Sequence, residues 1–322
     1  MTRQPRMLAA ILFASFFPAT SFCQSVLPPQ TEKAGPPRFA VTVTGRCGFI
    51  DRDGSIVIKP VFEQVYPFTE GLAAVQQQGL WGFIDTEGRM VIEPRFIMVG
   101  MFSDDRALFR DKKFTDPWGY IDRSGKVVIA PQFDCAQDFK KGIAKVGFQT
   151  LASKLQSSIA DVGITCSDRF IDRNGKFVPE PSPLHYASGD PKELIPFDKD
   201  DLSGYLNAKG EIVIKPQFRS AAAFSDGLAC VSREGLFGYI NTKGEWVISP
   251  QFEYANDFSE GLAGVSLGSA GWGFIDRTGK QVIPARFAWV SNGFRHGLAE
   301  VVVNGETGYI NTQGDWVWKP SK

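Results

Sequence analysis

A seven-residue string, G-[FY]-I-[DN]-x-x-G, returns along this chain and limits what it can fold into more than any other feature. It reads Gly48-Phe49-Ile50-Asp51 with Gly54, then Gly82-Phe83-Ile84-Asp85 with Gly88, then Gly119-Tyr120-Ile121-Asp122 with Gly125. A fourth copy, Arg169-Phe170-Ile171-Asp172 with Gly175, lacks the leading glycine. Four more follow: Gly204-Tyr205-Leu206-Asn207, Gly238-Tyr239-Ile240-Asn241, Gly273-Phe274-Ile275-Asp276 and Gly308-Tyr309-Ile310-Asn311, with Gly210, Gly244, Gly279 and Gly314. The Asp or Asn positions lie 34, 37, 50, 35, 34, 35 and 35 residues apart. A fixed period of this size marks a repeat architecture, in which each unit is one supersecondary element that must stack on its neighbours.

Each string continues into a second apolar run that reaches proline, as in Ile56-Val57-Ile58-Lys59-Pro60 and Trp246-Val247-Ile248-Ser249-Pro250. A third run precedes it, as in Gly71-Leu72-Ala73-Ala74-Val75 and Gly227-Leu228-Ala229-Cys230-Val231. Runs of four to six residues, rich in β-branched and aromatic side chains and bounded by Gly and Pro, read as strands. In D-x-x-G the Asp or Asn side chain bonds the backbone two residues on, and Gly supplies the positive φ that closes a hairpin. Proline removes a ladder donor and is read as ending the strand. Most copies then carry two phenylalanines, such as Phe62 and Phe68, Phe96 and Phe102, or Phe252 and Phe258. A three-stranded unit of this size cannot bury such rings alone, and each buried Phe is worth roughly 1.5 to 3 kcal/mol, so the rings are expected to join neighbouring units.

The expected fold is therefore all-β: eight tandem three-stranded antiparallel meanders spanning residues 39–320, closed as a propeller-like ring, with an open β-superhelix as the alternative. Closure would remove exposed end strands. No unit is split between the two ends of the sequence, which is the familiar sign of ring closure, so the alternative stays open.

Residues 1–23 read as a signal peptide. Arg3 and Arg6 give a positive start, Met7 to Phe17 an apolar run, and Ala19, Thr20 and Ser21 a small-residue stretch. The run is well short of the roughly 20 apolar residues a spanning helix needs. Lipidation of Cys23 is the lesser reading, because Thr20-Ser21-Phe22-Cys23 is a poor lipobox. A Pro-rich leader, 24–38, follows. The whole chain carries 35 basic and 35 acidic residues, with no Lys/Arg run, so nucleic acid is not expected as a partner.

In Leu80-Trp81-Gly82-Phe83-Ile84-Asp85, Pro117-Trp118-Gly119-Tyr120-Ile121-Asp122 and Gly271-Trp272-Gly273-Phe274-Ile275-Asp276, the string is led by Trp-Gly. In this the chain resembles the WG-containing repeat family of bacterial proteins over essentially all of residues 39–320. Elsewhere the Trp position holds Cys47, Asp168, Ser203, Phe237 and Thr307. The resemblance implies a repeat fold and brings no general activity or catalytic residue with it.

No catalytic, cofactor or metal residue is assigned. Asp51 and Asp53 beside Gly54 could suggest a calcium loop, but Asn replaces the first Asp in three copies, and a turn accounts for both residues. Trp81, Trp118 and Trp272 hold equivalent positions and are read as core, whereas Trp289, Trp316 and Trp318 fall outside that register and are better surface candidates for stacking on a glycan. His185 and His296 read as loop histidines. H-E-x-x-H does not occur, and the G-x-S-x-G string Gly264-Val265-Ser266-Leu267-Gly268 continues the strand-like run that begins at Gly261. Cys47, Cys135, Cys166 and Cys230 make an even number that permits a disulfide in an oxidising compartment, with Cys135 and Cys166 the preferred pair and apolar substitution the competing reading. In the fourth unit Leu151, Leu155, Ile159 and Val162 recur at helical spacing, so a helical insertion is expected at about 149–165.

These features point to an exported, non-enzymatic module, periplasmic or extracellular, that binds or scaffolds a protein or glycan. The alternatives are an envelope-associated hydrolase or lyase using carboxylates such as Asp104, Asp105 and Asp116, or a purely structural envelope protein.

Overall fold

The computed structural model describes residues 35–148, 169–186, 188, 190 and 192–319. The signal peptide, most of the leader and the helical insertion expected at about 149–165 lie outside the described residues. Eight antiparallel sheets follow one another: 39–62, 72–96, 98–133, 135–178, 195–218, 220–252, 262–287 and 289–318, here sheets 1 to 8. Sheet 1 shows the common plan. Strand Phe39–Val43 turns through Thr44 and Gly45 into Arg46–Ile50, which turns again into Ile56–Phe62.

Local chemistry sets both turns. In the second, the Asp51 Oδ1 accepts the N–H groups of Asp53 and Ser55 at 3.0 and 2.9 Å, and Gly54 takes φ 84°. The same pair of bonds recurs at Asp85, Asp122, Asp172, Asn207, Asn241, Asp276 and Asn311. Only one side-chain oxygen is needed, which is why Asn serves as well as Asp. In Asn207 and Asn241 the amide nitrogen donates to Glu211 and Glu245 four residues on, at 2.7 and 2.8 Å. Four of the five Asp copies carry Arg89, Lys126, Lys176 or Lys280 at that place instead, so charge is matched within those turns, whereas Asp51 has Ser55 there.

One expectation is corrected. The proline does not end the third strand. Pro60 sits inside Ile56–Phe62, and the register jumps from Phe49 opposite Ile58 to Cys47 opposite Phe62. Two residues of one strand thus face four of the other. This bulge absorbs the missing donor and recurs in sheets 2, 3, 5, 6 and 7. It bends the exposed outer strand, a standard protection against edge pairing. Sheets 1, 2, 5 and 7 are the expected three-stranded meanders, and the other four add a strand. In sheets 3, 4, 6 and 8 the linker adds a two-residue strand beside the first full strand, such as Met98–Val99 against Arg110 and Phe109. Sheets 2 and 7 have a single bridge at that place, Val65 with Val75 and Ala255 with Val265.

The bulge explains the Gly of Trp-Gly. The crossing chain lies directly over it, so a Cβ at Gly48, Gly82, Gly204 or Gly238 would fall 2.4 to 2.5 Å from the carbonyl oxygen of Ile58, Ile92, Ile214 or Ile248. Sheet 4 is the internal control. It has Arg169 at that position, and there Phe170 and Ile171 pair with Val178 and Phe177 with no shift.

Between sheets, the aromatic ring of each string meets the second phenylalanine of the next linker, as the sequence suggests. Phe49 with Phe68, Phe83 with Phe102, Tyr120 with Phe139, Tyr205 with Phe224, Tyr239 with Phe258 and Phe274 with Phe294 are 4.7 to 4.9 Å apart, edge-on or tilted. The last sheet meets the first through the first strand of sheet 1 itself. Tyr309 packs edge-on against Phe39 at 5.4 Å, and its phenol donates to the Ala40 carbonyl at 2.9 Å. Val41, Ile50, Leu298 and Tyr309 form one buried cluster flanked by Val317 and Trp318. The array is a closed, propeller-like ring, and not the open superhelix. Closure rests on side chains, since sheet 1 and sheet 8 are each built from contiguous sequence.

Candidate binding site at the axis of the ring

Equivalent turns place equivalent side chains at the two ends of the ring. At one end lie the D-x-x-G turns and the turns that open each first strand. There Glu70 accepts the N–H groups of Asp104 and Asp105 at 2.7 and 3.0 Å, Asp104 accepts from Gly142 at 2.6 Å, Asp226 from Gly261 at 2.7 Å and Glu260 from Gly297 at 2.9 Å. Each carboxylate ties its turn to the turn of the next sheet. Arginines following the turn Asp reach back: Arg123 donates to the Glu70 carbonyl at 2.7 Å, and Arg173 lies 3.4 Å from Asp104.

Asp104 and Asp105 are therefore stitching residues. Asp116 sits at the other end, where the N–H groups of Lys112 and Lys113 hold its carboxyl below the usual range. The three carboxylates considered for hydrolysis do not meet. Asp51 spends its Oδ1 on its own turn, and among the described residues no group of three or more His, Cys, Asp or Glu is placed to hold a metal.

The linkers between sheets converge on the axis. Tyr66, which leads into sheet 2, feels the charge of Asp138 inside sheet 4, two sheets on. A small cavity of about 40 Å³ joins Pro67 before sheet 2 to Arg38, Arg295 and Glu300 of sheets 1 and 8. The main cavity, about 770 Å³, opens against sheets 6 to 8. Its position follows from side-chain size. Sheet 6 contributes Ser220, Ala221 and Ala222, where the linker into sheet 2 carries Gln64, Val65 and Tyr66. The rest of the wall is mixed, with Ser225, Asn256, Asp257, Asn292, Arg295 and His296 beside Phe237, Phe258 and Phe294. Asn256 is fixed by a 2.7 Å bond from its side chain to the Ser291 carbonyl.

Asp138 and Asp257 hold equivalent places in their linkers. Both are crowded by protein yet keep a face open to the channel. Desolvation raises both carboxyls, Asp138 to about 6. Because its folded value lies above the unfolded one, Asp138 favours folding most below pH ~4, and that contribution is lost as pH rises through about 6. Asp138→Asn is expected to raise the melting temperature slightly at pH 8 and to leave it unchanged at pH 3.5, as scanning calorimetry at the two pH values would show.

Of the tryptophans, Trp81 is buried and stacked on Tyr66 at 4.7 Å. Trp118 and Trp272 are half-buried, under Arg110 and beside Tyr254. Of Trp289, Trp316 and Trp318 only Trp289 is exposed; Trp316 packs on Phe287, and Trp318 belongs to the ring closure. His185 lies in a short 3-10 turn and contacts the Lys141 carbonyl, whereas His296 is a positive-φ turn residue facing the main cavity. Cys135 and Cys47 each take part in a disulfide, and Cys166 lies outside the described residues. Cys230 is a free buried thiol whose pKa desolvation pushes up to about 12, which keeps it unreactive.

The model for the WG containing repeat matches at residues 48–81, 81–113, 118–147, 204–237, 237–269 and 272–306, more than half of the chain. The chain belongs to the WG-repeat family. Sheet 4, without its glycine and its bulge, is the place the matches skip after residue 147, so the family pattern and the bulge geometry fail together. No curated protein matches this WG-repeat protein. Among solved structures, one titled as the eukaryotic initiation factor is 11% identical, over 88% of this chain and 95% of its own, with a TM-score of 0.52. BamB from Moraxella catarrhalis is 11% identical over 89% of this chain and 94% of its own at a TM-score of 0.43. The first likeness is one of fold.

Proposed function

We propose that this WG-repeat protein is an exported, non-enzymatic binding module that takes a polar segment of a protein or glycan into its axial cavity. The observation that carries this reading is the wall of that cavity, where small residues on sheet 6 open the space and amides, hydroxyls and charged groups of sheets 6 to 8 line it beside Phe237, Phe258 and Phe294. A concave site with a few oriented polar groups is how small ligands and chain segments are held. The disulfide-bonded Cys47 and Cys135 support export, since such bonds persist in oxidising compartments.

Filling the cavity tests the reading. Ala222→Trp places a large ring in the channel from a half-buried position. The mature protein should capture a specific partner from envelope extract or a glycan array, and the variant should lose it by about tenfold or more while melting within a few degrees of the parent. Equal capture by the variant would remove the cavity from the account, and no capture by folded parent protein would favour a purely structural role.

A further inference from the structure

The chain has five cysteines, and the states of the three described ones constrain the other two. Cys230 is a free thiol, whereas Cys47 and Cys135 each take part in a disulfide. The remaining cysteines of the sequence are Cys23 and Cys166. Cys47 stands at the Trp position of sheet 1, on the middle strand Arg46–Ile50, with its Sγ 3.7 Å from the Glu63 carbonyl oxygen and packed among Phe49, Phe62 and Val65. Cys135 lies on the short strand Cys135–Ala136 that opens sheet 4, opposite Gly147.

These two are not bonded to each other. Bridged cysteines have Cα atoms within about 7 Å. Sheets 2 and 3 stand between sheets 1 and 4, and packed sheets are about 10 Å apart. Chain length then sorts the partners. Cys166 is three residues before Arg169, which pairs with Val146 beside Gly147. Its Cα therefore lies at most about 11 Å from that of Arg169, a reach that covers Cys135 and falls far short of Cys47. Cys23 is twelve residues before Gly35, which packs on Thr86 in the turn of sheet 2. That length of chain spans up to about 40 Å, ample for the neighbouring sheet 1.

We infer that Cys23 is retained in the mature protein and is joined by a disulfide to Cys47. Cleavage of the signal segment then falls before residue 23 instead of after it. The Ser21–Phe22 bond suits it, because Ala19 and Ser21 supply the two small residues of an A-x-A-like site. The bond forms as the two thiols give up two protons and two electrons to the disulfide of an exported thiol oxidase, which becomes a dithiol. It consumes the thiol that a lipid anchor at Cys23 would need. It also ties the leader to sheet 1, as Arg38 ties it to sheet 2 by donating to the Thr86 carbonyl at 3.1 Å. The inference rests on the export reading, which supplies the oxidising compartment.

The full chain, expressed with its own signal segment and recovered from the host envelope, is sequenced from its N-terminus and mapped with trypsin without reduction. The first residue should be Phe22, and peptide 22–33 should run joined to peptide 47–52 and part from it on reduction. In Cys47→Ala, which keeps that position apolar, a thiol on peptide 22–33 should become alkylatable in the folded protein while Cys230 stays protected. Gln24 as the first residue, or Cys47 recovered free, with Cys135 or with Cys166, would overturn the inference and leave export standing. Uncleaved chain held in the cytoplasm with reduced thiols would overturn the export reading and the inference with it.

Discussion

Gly82→Ala is expected to destabilise the ring by about 3 kcal/mol or more, an unusual cost for a single methyl group. The added carbon would lie 2.4 Å from the Ile92 carbonyl oxygen, 2.7 Å from the Pro94 nitrogen and 2.9 Å from the Glu93 carbonyl carbon, all of them backbone atoms in a bulge that cannot retreat without losing the pairing of Trp81 with Phe96. Gly79→Ala, three residues earlier at a hairpin tip, is the control. Nothing lies within 4 Å of a Cβ there, and its positive φ of 76° alone sets a cost of about 1 kcal/mol. Arg169→Gly should bring no gain, because sheet 4 has no bulge for the glycine to admit. Urea unfolding of the three variants separates the crossing chain from ordinary backbone entropy.

The second large effect lies where the two ends of the repeat array meet. Tyr309→Ala is expected to cost about 3 to 5 kcal/mol, the loss of a fully buried ring. Tyr309→Phe removes the bonds to the Ala40 carbonyl at 2.9 Å and to Glu300 Oε2 at 3.4 Å, and should cost about 1 to 3 kcal/mol. Tyr239→Phe breaks the corresponding 2.7 Å bond to the Asn256 carbonyl between sheets 6 and 7, and should cost about the same. Equal penalties follow if the contact of sheet 8 with sheet 1 is one interface among eight. A much smaller penalty at Tyr309 would mean that the last sheet stands at a free end.

What was legible in the sequence was what depends on neighbours in the chain. Asp51 with Gly54 is a turn within five residues, and its eight copies made the period plain. The paired phenylalanines were legible too, because Phe62 and Phe68 are too apolar for a thin sheet to hide. The reason for Gly48 was not, since the atoms that exclude a side chain there belong to Ile58, Lys59 and Pro60 across the sheet. Pro60 was misread for a related reason: the local rule that proline ends a strand yields to a bulge that needs no donor at that point. Met98–Val99 is too short a strand to leave a pattern. The cavity did leave a signal, in the small residues Ser220, Ala221 and Ala222 set in register against Gln64, Val65 and Tyr66, but small residues mean open space only once the linkers are known to converge.

Sheet 4 shows how far the pattern can relax. It lacks the glycine, the bulge and most of the outer strand, which shrinks to Phe177–Val178. The ring continues through it all the same, with Tyr120 of sheet 3 donating to the Gln137 carbonyl at 2.8 Å as its counterparts do elsewhere.

Ring closure is the claim on which the axial cavity and both ends of the molecule depend, and one distance measurement tests it. Spin labels on cysteines introduced at Gly45 and Gly305, the hairpin tips of sheets 1 and 8, would be compared with labels at Gly45 and Gly79, the tips of sheets 1 and 2. The closed ring predicts closely similar distances for the two pairs; a Gly45 to Gly305 distance spanning much of the molecule would show an open array and contradict the account.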